Sequence, residues 1–372
     1  MAPVPPASKQ SLGKAVVIGG CGFLGHHIVK LLRESYNCQV SALDLRTTRN
    51  RQDGVEYYDG DITNLDSLLK IFGQIKPDVV FHTASPLANV GITKEILHKV
   101  NVDGTQCVID ACRQTNVKAL VYTSSASVIS DNVSDLVNAD ERWPVLRAPV
   151  QTDYYSESKA IAEQAVLAAN RNPGSQLLTS AIRPAGIIGE GDVQVVPVML
   201  NLYFDNKMHF QIGTNDNLFD FTYVGNVAHA HCLAAVALLQ TARSPTTPLD
   251  HERVDGEAFF VTNGSPIYFW DFPRMLWKHA GVHRGTEGVW VITREVGLPL
   301  SALAETFGWL TGRPVKFTRK ATKYSCMTRY YDISKARNRL GYKPLVGLDE
   351  GARRAVEWAL NERKTLLEKK GQ

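Results

Sequence analysis

The chain has 372 residues, 44% of them apolar, with 41 Lys+Arg against 37 Asp+Glu for a formal charge of +4. Those values fit a folded protein with one large or two smaller domains, and exclude a disordered, collagenous or many-spanning membrane chain. No Lys/Arg block runs through its body, so nucleic acid is not the implied partner.

Residues 1–14 carry Pro3, Pro5 and Pro6 and no apolar run of signal-peptide length, and read as a flexible tail. Short β-branched runs at 15–18, 39–43, 79–82, 119–123 and 177–182 predict strands. Helical patterns alternate with them: Leu24, Ile28, Leu31 and Leu32 give one apolar face, and 63–73, 93–115 and 153–170 behave likewise. This alternation predicts an α/β fold, a Rossmann-type doubly wound parallel sheet over 15–190. Past Gly189 the pattern is broken by Pro197, Pro245, Pro248, Pro266 and Pro273. A smaller, interleaved substrate-binding domain is expected over 191–372, with 220–262 returning to the dinucleotide-binding core. Residues 221–242 are free of charge and long enough to approach a membrane span, but Asn226, His229, His231 and Gln240 would be costly in hydrocarbon. They read as a strand end followed by a buried helix. The six cysteines form no CxxC pair and share no zinc-site spacing with histidines, which predicts free thiols and no metal centre.

Gly19, Gly22 and Gly25 follow the first predicted strand and open the first helix, in the string Val-Ile-Gly-Gly-Cys-Gly-Phe-Leu-Gly. Glycine is required where the chain turns sharply, where backbone approaches a pyrophosphate and where helix packs closely on strand; the helix N-terminus then offers free N–H groups to the anion. Asp44 ends the second strand about 20 residues on, where a carboxylate takes ribose hydroxyls and repels a 2′-phosphate. NAD is favoured over NADP, with Arg46, Arg49 and Arg51 nearby pulling the other way.

Tyr155 and Lys159 stand four residues apart, on one helix face, after a strand that ends in Thr-Ser-Ser-Ala. A tyrosine whose ordinary pKa is about 10 needs neighbouring positive charge to act as a base near neutral pH. Lys159 is placed to supply it. A serine hydroxyl would hold the substrate oxygen: Ser125, with Ser124 the alternative.

These marks together resemble the extended short-chain dehydrogenase/reductase superfamily. The strings Val-Tyr-Thr-Ser-Ser-Ala-Ser-Val-Ile (121–129), Asn-Ala-Asp-Glu-Arg-Trp-Pro (138–144), Arg-Pro-Ala-Gly-Ile-Ile-Gly (183–189), Phe-Thr-Tyr-Val-Gly-Asn-Val-Ala-His-Ala-His (221–231) and Arg-Tyr-Tyr-Asp-Ile-Ser-Lys-Ala (329–336) narrow it further. They are similar to the 3β-hydroxysteroid dehydrogenase family, and within it to the fungal sterol-4α-carboxylate 3-dehydrogenases (decarboxylating). The resemblance implies Tyr155 as general base, Lys159 as its electrostatic partner and nicotinamide-ribose ligand, and Ser125 as donor to the substrate oxygen. It implies Gly19, Gly22, Phe23, Leu24 and Gly25 at the pyrophosphate and Asp44 at the adenosine ribose. Asp61 and Ile62 would border the adenine, Ala84 and Ser85 would lie beneath the cofactor, and Pro184 and Ile187 would meet the nicotinamide amide. The long proline-bearing segment 244–255 departs from the family's commonest form and reads as a surface loop.

The resemblance further implies a sterol substrate, NAD as cofactor, and a peripheral place at the cytosolic face of the endoplasmic reticulum membrane or in the cytoplasm. A homodimer and contact with other sterol C4-demethylation enzymes belong to the same expectation. Two stretches, 195–204 and 289–310, are apolar well beyond the average and read as substrate walls. The second has Trp290 and Trp309 at its ends and Arg313, Lys316, Arg319 and Lys320 after it, the pattern of an interfacial segment; 289–320 is the expected membrane contact, and the tail 363–370 adds cations. Arg329 and Lys323 are weighed as the groups that meet a substrate carboxylate. The rival readings are a triterpenoid-tailoring dehydrogenase, a nucleotide-sugar epimerase or dehydratase, and a non-catalytic dinucleotide sensor. The apolarity of 195–204 opposes the nucleotide sugar, and the intact Tyr-Lys pair opposes the sensor.

Overall fold

The computed structural model describes residues 9–370 apart from 87–90, 284, 314 and 316. The start of the expected tail (1–8) and Lys316 of the basic stretch therefore lie outside the described residues. In chain order the elements of the first half are β1 (Ser11–Ile18), α1 (Phe23–Ser35), β2 (Asn37–Asp44), β3 (Glu56–Asp59), α2 (Leu65–Ile75) and β4 (Val79–His82). There follow α3 (Lys94–Leu97), a π-turn (His98–Asp103), α4 (Gly104–Gln114), β5 (Ala119–Thr123), β6 (Leu136–Ala139), α5 (Tyr154–Ala168) and β7 (Leu178–Pro184). The second half holds β8 (Gly186–Ile188), α6 (Val196–Phe204), β9 (Phe210–Ile212), β10 (Leu218–Phe219), β11 (Phe221–Tyr223), α7 (Val224–Arg243) and β12 (Glu257–Val261). It ends with β13 (Ile267–Tyr268), α8 (Asp271–His279), β14 (Trp290–Ile292), α9 (Arg294–Thr311), α10 (Arg319–Ser325), β15 (Arg329–Tyr331), α11 (Ser334–Leu340) and α12 (Leu348–Lys370).

A seven-stranded parallel sheet in the order β12-β7-β5-β4-β1-β2-β3 carries the site. Its central strands are continuous apolar runs because helices cover both faces; all four residues of β4 and all five of β5 are buried. One face packs against α1, α7 and α11, the other against α2, α4 and α5. A third cluster, built from α6, α8, α12, β10 and β11, forms the core of the second half. A mixed sheet, β13-β10-β15-β6, joins the two halves, because β6 lies between β5 and α5 in sequence yet pairs with β15.

Several boundaries differ from expectation. Ser11–Lys14, expected within the loose tail, already form β1: their backbone pairs with Asn37–Gln39, and the Lys14 N–H is held by Asp78 Oδ2 at 2.9 Å. Only Leu12 of that stretch is buried, so no apolar pattern announces the strand. The edge strand β3 (Glu-Tyr-Tyr-Asp) is short and polar for the same reason. The expected helix 93–115 is interrupted by the π-turn. The 195–204 run becomes α6, whose buried Val196 and Leu200 join the third core cluster while Val198 faces outward. Most of that expected substrate wall is therefore packing within the small domain.

Gly25 is the tightest point between α1 and β1. A Cβ there would stand 2.0 Å from the Gly19 carbonyl oxygen, a backbone atom with no freedom to yield. Gly25→Ala is expected to cost about 1–3 kcal/mol of stability, the range for overpacking, and to weaken dinucleotide binding; thermal melts with and without NAD measure both, and an unchanged midpoint would contradict it.

Candidate active site

The strand order reverses between β1 and β4, since the chain leaves β1 for β2 and β3 on one side and returns as β4 on the other. Ligands of open α/β sheets bind in the crevice beyond the carboxyl ends of such strands. Here the two loops nearly touch. Gly19 has φ +78°, and a Cβ on it would meet the Ala84 backbone N at 2.8 Å and Thr83 Oγ1 at 2.9 Å. Gly22 is the N-cap of α1 and offers no side chain, and the first turn holds no acidic residue, so the helix N–H groups remain free for an anion. The Phe23 side chain is half-buried, whereas that of Leu24 is in the core, leaving its backbone for any ligand contact. Close-approach glycines, a bare positive helix end and a crevice at the switch point fit a dinucleotide pyrophosphate.

Asp44 ends β2 with its carboxylate oriented by the Cys21 N–H (3.0 Å) and the Leu45 N–H (2.8 Å), which leaves lone pairs for ribose hydroxyls. Of the nearby cations, Arg51 is committed: it stacks on Tyr57 at 4.5 Å and donates to the Thr47 carbonyl. Asp61 turns its carboxylate onto the N–H and hydroxyl of Thr63, while Ile62 is buried against the site of Gly104. Ala84 and Ser85 follow β4, and Ser85 Oγ donates to Asn101 Oδ1 at 2.9 Å. Pro184 closes β7, and Ile187 lies in β8 opposite Thr222.

Tyr155 and Lys159 share the first turns of α5, capped by Asp153, whose Oδ2 accepts from the Ser156 N–H and hydroxyl. Tyr155 is half-buried and its Oη has no hydrogen-bond partner among the described residues. Lys159 is buried; Nζ donates to the Thr123 carbonyl at 2.5 Å and sits 4.4 Å from the centre of the Tyr122 ring. Ser125 is half-exposed, with Oγ 2.9 Å from Ser127 Oγ and accepting the Ser127 N–H. The alternative, Ser124, is buried and its Oγ has no partner.

Burial governs the charges. It pushes the Tyr155 phenol up to about 12, with the Asp153 carboxylate adding to the rise. It pulls the Lys159 ammonium down to about 7, against which the Glu163 carboxylate acts in the raising direction. Lys159 and the positive nicotinamide ring are the two charges expected to favour the phenolate; in this structure the ammonium faces Thr123 and Tyr122, and desolvation is the largest effect on Tyr155.

Four contributors escaped the sequence reading. Asn101 sits inside the π-turn, buried, linking Ser85 to Ser158 Oγ (2.9 Å) and so tying the β4 loop to α5. Glu163 and Arg183 form a buried two-pronged ion pair at 2.6 and 2.8 Å beneath Lys159. His231 of α7, kept neutral by burial, accepts the Thr123 hydroxyl at 2.7 Å and returns its other ring N–H to the Val227 carbonyl. Lys320 of α10 reaches Asp153 Oδ1 at 2.9 Å. Arg183, His231 and Lys320 are visible in the sequence only in other roles, and Asn101 only as a polar residue between two valines.

The profile of the 3-beta hydroxysteroid dehydrogenase/isomerase family matches residues 16–291. The chain belongs to that family. Along 94% of its length it is 42% identical to a Schizosaccharomyces pombe protein named sterol-4-alpha-carboxylate 3-dehydrogenase erg26, decarboxylating, covering 98% of that protein. A Homo sapiens protein named sterol-4-alpha-carboxylate 3-dehydrogenase, decarboxylating, is 35% identical over 96% of this chain and 91% of its own length. Among solved structures, a UDP-glucose 4-epimerase of Thermotoga maritima superposes with a TM-score of 0.67 at 21% identity, covering 95% of this chain and 99% of that one. That likeness is one of fold: the parallel sheet with helices on both faces is shared.

The depressed Lys159 ammonium carries a stability signature. Between about pH 7 and the ordinary lysine value of 10.5, the unfolded chain binds a proton that the folded chain does not, so stability falls as pH drops through that window and the penalty is constant below it. Lys159→Met is therefore expected to be more stable than the parent by about 2 kcal/mol or more at pH 7, with the gap closing towards pH 10. Denaturant melts at pH 7, 8.5 and 10 measure it; a gap that does not change with pH would contradict it.

Proposed function

We propose that the chain is an NAD-dependent 3β-hydroxysteroid dehydrogenase (decarboxylating) that oxidises the 3β-hydroxyl of a 4α-carboxysterol and releases the C4 carboxylate as carbon dioxide. The observation that carries this reading is the likeness to proteins named for that reaction over nearly the whole chain; Ser125 just past the end of β5, and Lys159 bonded to Thr123 at that end, support it. The glycine loop, Asp44 and Lys159 would hold a nicotinamide dinucleotide, which would supply the hydride acceptor and a further positive charge. Ser125 donates its hydroxyl to the substrate oxygen and Tyr155 takes the hydroxyl proton. Lys159 holds the nicotinamide ribose and adds the positive charge that offsets the burial of Tyr155. The product is a β-keto acid, whose C3 carbonyl accepts the electron pair when the C4–carboxylate bond breaks, so the second step needs positioning and a dry cleft more than a further catalytic group.

The same reading places the enzyme peripherally, at the cytosolic face of the endoplasmic reticulum membrane. No described helix is long and apolar enough to cross a membrane. Support comes from α9, where Gly297, Ser301 and Gly308 face the protein while Val296, Leu300, Leu303, Phe307 and Leu310 form an exposed stripe. Trp309 is 81% exposed beside it, and Trp290 of β14 is 70% exposed. An apolar face of that extent marks a contact surface. Of the expected cations, Arg319 is engaged by Glu305 and Lys320 by Asp153, which among the described residues of that stretch leaves exposed Arg313 to meet anionic lipid. A homodimer and contacts with other sterol C4-demethylation enzymes belong to the same proposal.

Incubation with NAD and a 4α-carboxy-3β-hydroxysterol is expected to yield NADH and carbon dioxide in equal amounts; NADH alone would leave a plain hydroxysteroid dehydrogenase. Tyr155→Phe is expected to lower turnover at least about a hundredfold with NAD binding retained, in line with loss of a positioned base. Anionic liposomes should co-sediment the protein, and the double change Trp290→Ser, Trp309→Ser should release it. Unchanged sedimentation would remove the membrane face, and a monomer-to-dimer shift tracking the same substitutions would assign that face to a second copy.

A further inference from the structure

Arg329 opens β15 and is only 8% exposed, yet it has no carboxylate within ion-pair distance among the described residues. Its Nε–H donates to Tyr331 Oη at 2.8 Å, and its guanidinium lies 5.9 Å from the Tyr324 ring. Its two terminal nitrogens make no hydrogen bond to any described residue and are not sealed off from solvent. A guanidinium taken out of water without an anion is costly, and interiors normally supply the partner.

Asp153, whose charge reaches Arg329, is already committed. Asp153 gives one oxygen to Lys320 and the other to Ser156, at the cap of the helix that carries Tyr155. Lys320 of α10 bonds Asp153, and Tyr324, one turn further along α10, lies against the Arg329 guanidinium, so α10 brings Arg329 towards the end of α5 that carries Tyr155. Lys323, the other cation weighed from sequence, is half-exposed and remains hydrated. In a 3β-hydroxy-4α-carboxysterol the carboxylate sits on the carbon next to the reacting one, so whatever binds it must stand beside the Tyr155 hydroxyl.

We propose that the Nη edge of Arg329 binds the C4 carboxylate of the substrate and selects the acid over neutral 3β-hydroxysterols; this rests on the substrate reading above. Two parallel N–H donors match the two oxygens of a carboxylate, and the Tyr331 phenol holds the fork in orientation from behind. After oxidation the C4–carboxylate bond breaks, carbon dioxide leaves, and the electron pair passes to the C3 oxygen, which then takes a proton. The negative charge moves only to the neighbouring position and stays within reach of the same cation.

The test compares kcat/KM for a 4α-carboxy-3β-hydroxysterol with that for the matching 4α-methyl-3β-hydroxysterol, in the parent, Arg329→Gln and Arg329→Lys. The acid-to-neutral ratio is expected to fall about 30-fold or more in Arg329→Gln, mainly through KM for the acid, and by roughly fivefold in Arg329→Lys. Circular dichroism and NAD binding report folding, and Arg329→Lys, which keeps the buried cation, carries the test if the glutamine variant does not fold. A parent that oxidises the neutral sterol and ignores the acid overturns the substrate reading and this assignment with it. A parent that processes both, with variants whose ratio is unchanged, overturns the assignment of Arg329 alone.

Discussion

An ammonium group held out of water at the end of β5 is the constraint on which the rest of the site depends. Left bare, Lys159 would lose its proton or unfold its surroundings. It is met instead by a carbonyl, Thr123 O, by the face of Tyr122, and one helical turn on by the Glu163 carboxylate. Glu163 in turn would be an uncompensated buried anion without Arg183, and Arg183 lies over the Phe260 ring. These compensations are spread over four elements: α5, β5, β7 and β12. The parallel register that sets Thr123 beside Ile182, and Arg183 beside Phe260, is therefore as much a requirement of buried Lys159 as of the core.

The opposite wall of the crevice obeys a different physics, that of bare backbone. Gly19, Gly22 and Gly25 let the β1–α1 turn press against the loop after β4, and the unscreened N-terminus of α1 faces the gap. Asn101 connects the two walls through Ser85 and Ser158. A π-turn sets it there, since the wider turn shifts a side chain off the face that a regular helix would give it. The loop after β4, which meets the glycine turn, and α5, which carries Tyr155 and Lys159, are thus held in one hydrogen-bonded frame rather than as two independent elements.

What could be read from sequence follows from how each element is buried. The bounds of β4 and β5 were legible because strands covered on both faces carry unbroken apolar runs; the first half of β1, 11–14, and the short edge strand β3 carry no such run and were not. Tyr155, Lys159 and the glycine loop were legible because their spacing is local. The Glu163–Arg183 pair was not, since Lys159 and Glu163 four residues apart on a helix look like a solvated pair until the strand beside them supplies the arginine. The buried character of Arg329 is equally non-local: it depends on Tyr324, Tyr331 and the pairing of β15 with β10 and β6.

The α9 helix shows how far periodicity alone can go. Val296, Leu300, Leu303, Phe307 and Leu310 recur at the spacing of a core-facing stripe, and in most helices that stripe would be the buried one. Here the buried side is small: Gly297 fits against Thr322 and Ile212, and Gly308 against Val315. Close approach through glycine on one face turns the large apolar side chains to the other, so the sense of the amphipathic helix is decided by its smallest residues. A chain whose average composition is unremarkable for a globular protein thereby carries a strongly apolar exterior on the half that would cover a hydrophobic substrate, one helix away from the cation at the substrate corner of the crevice.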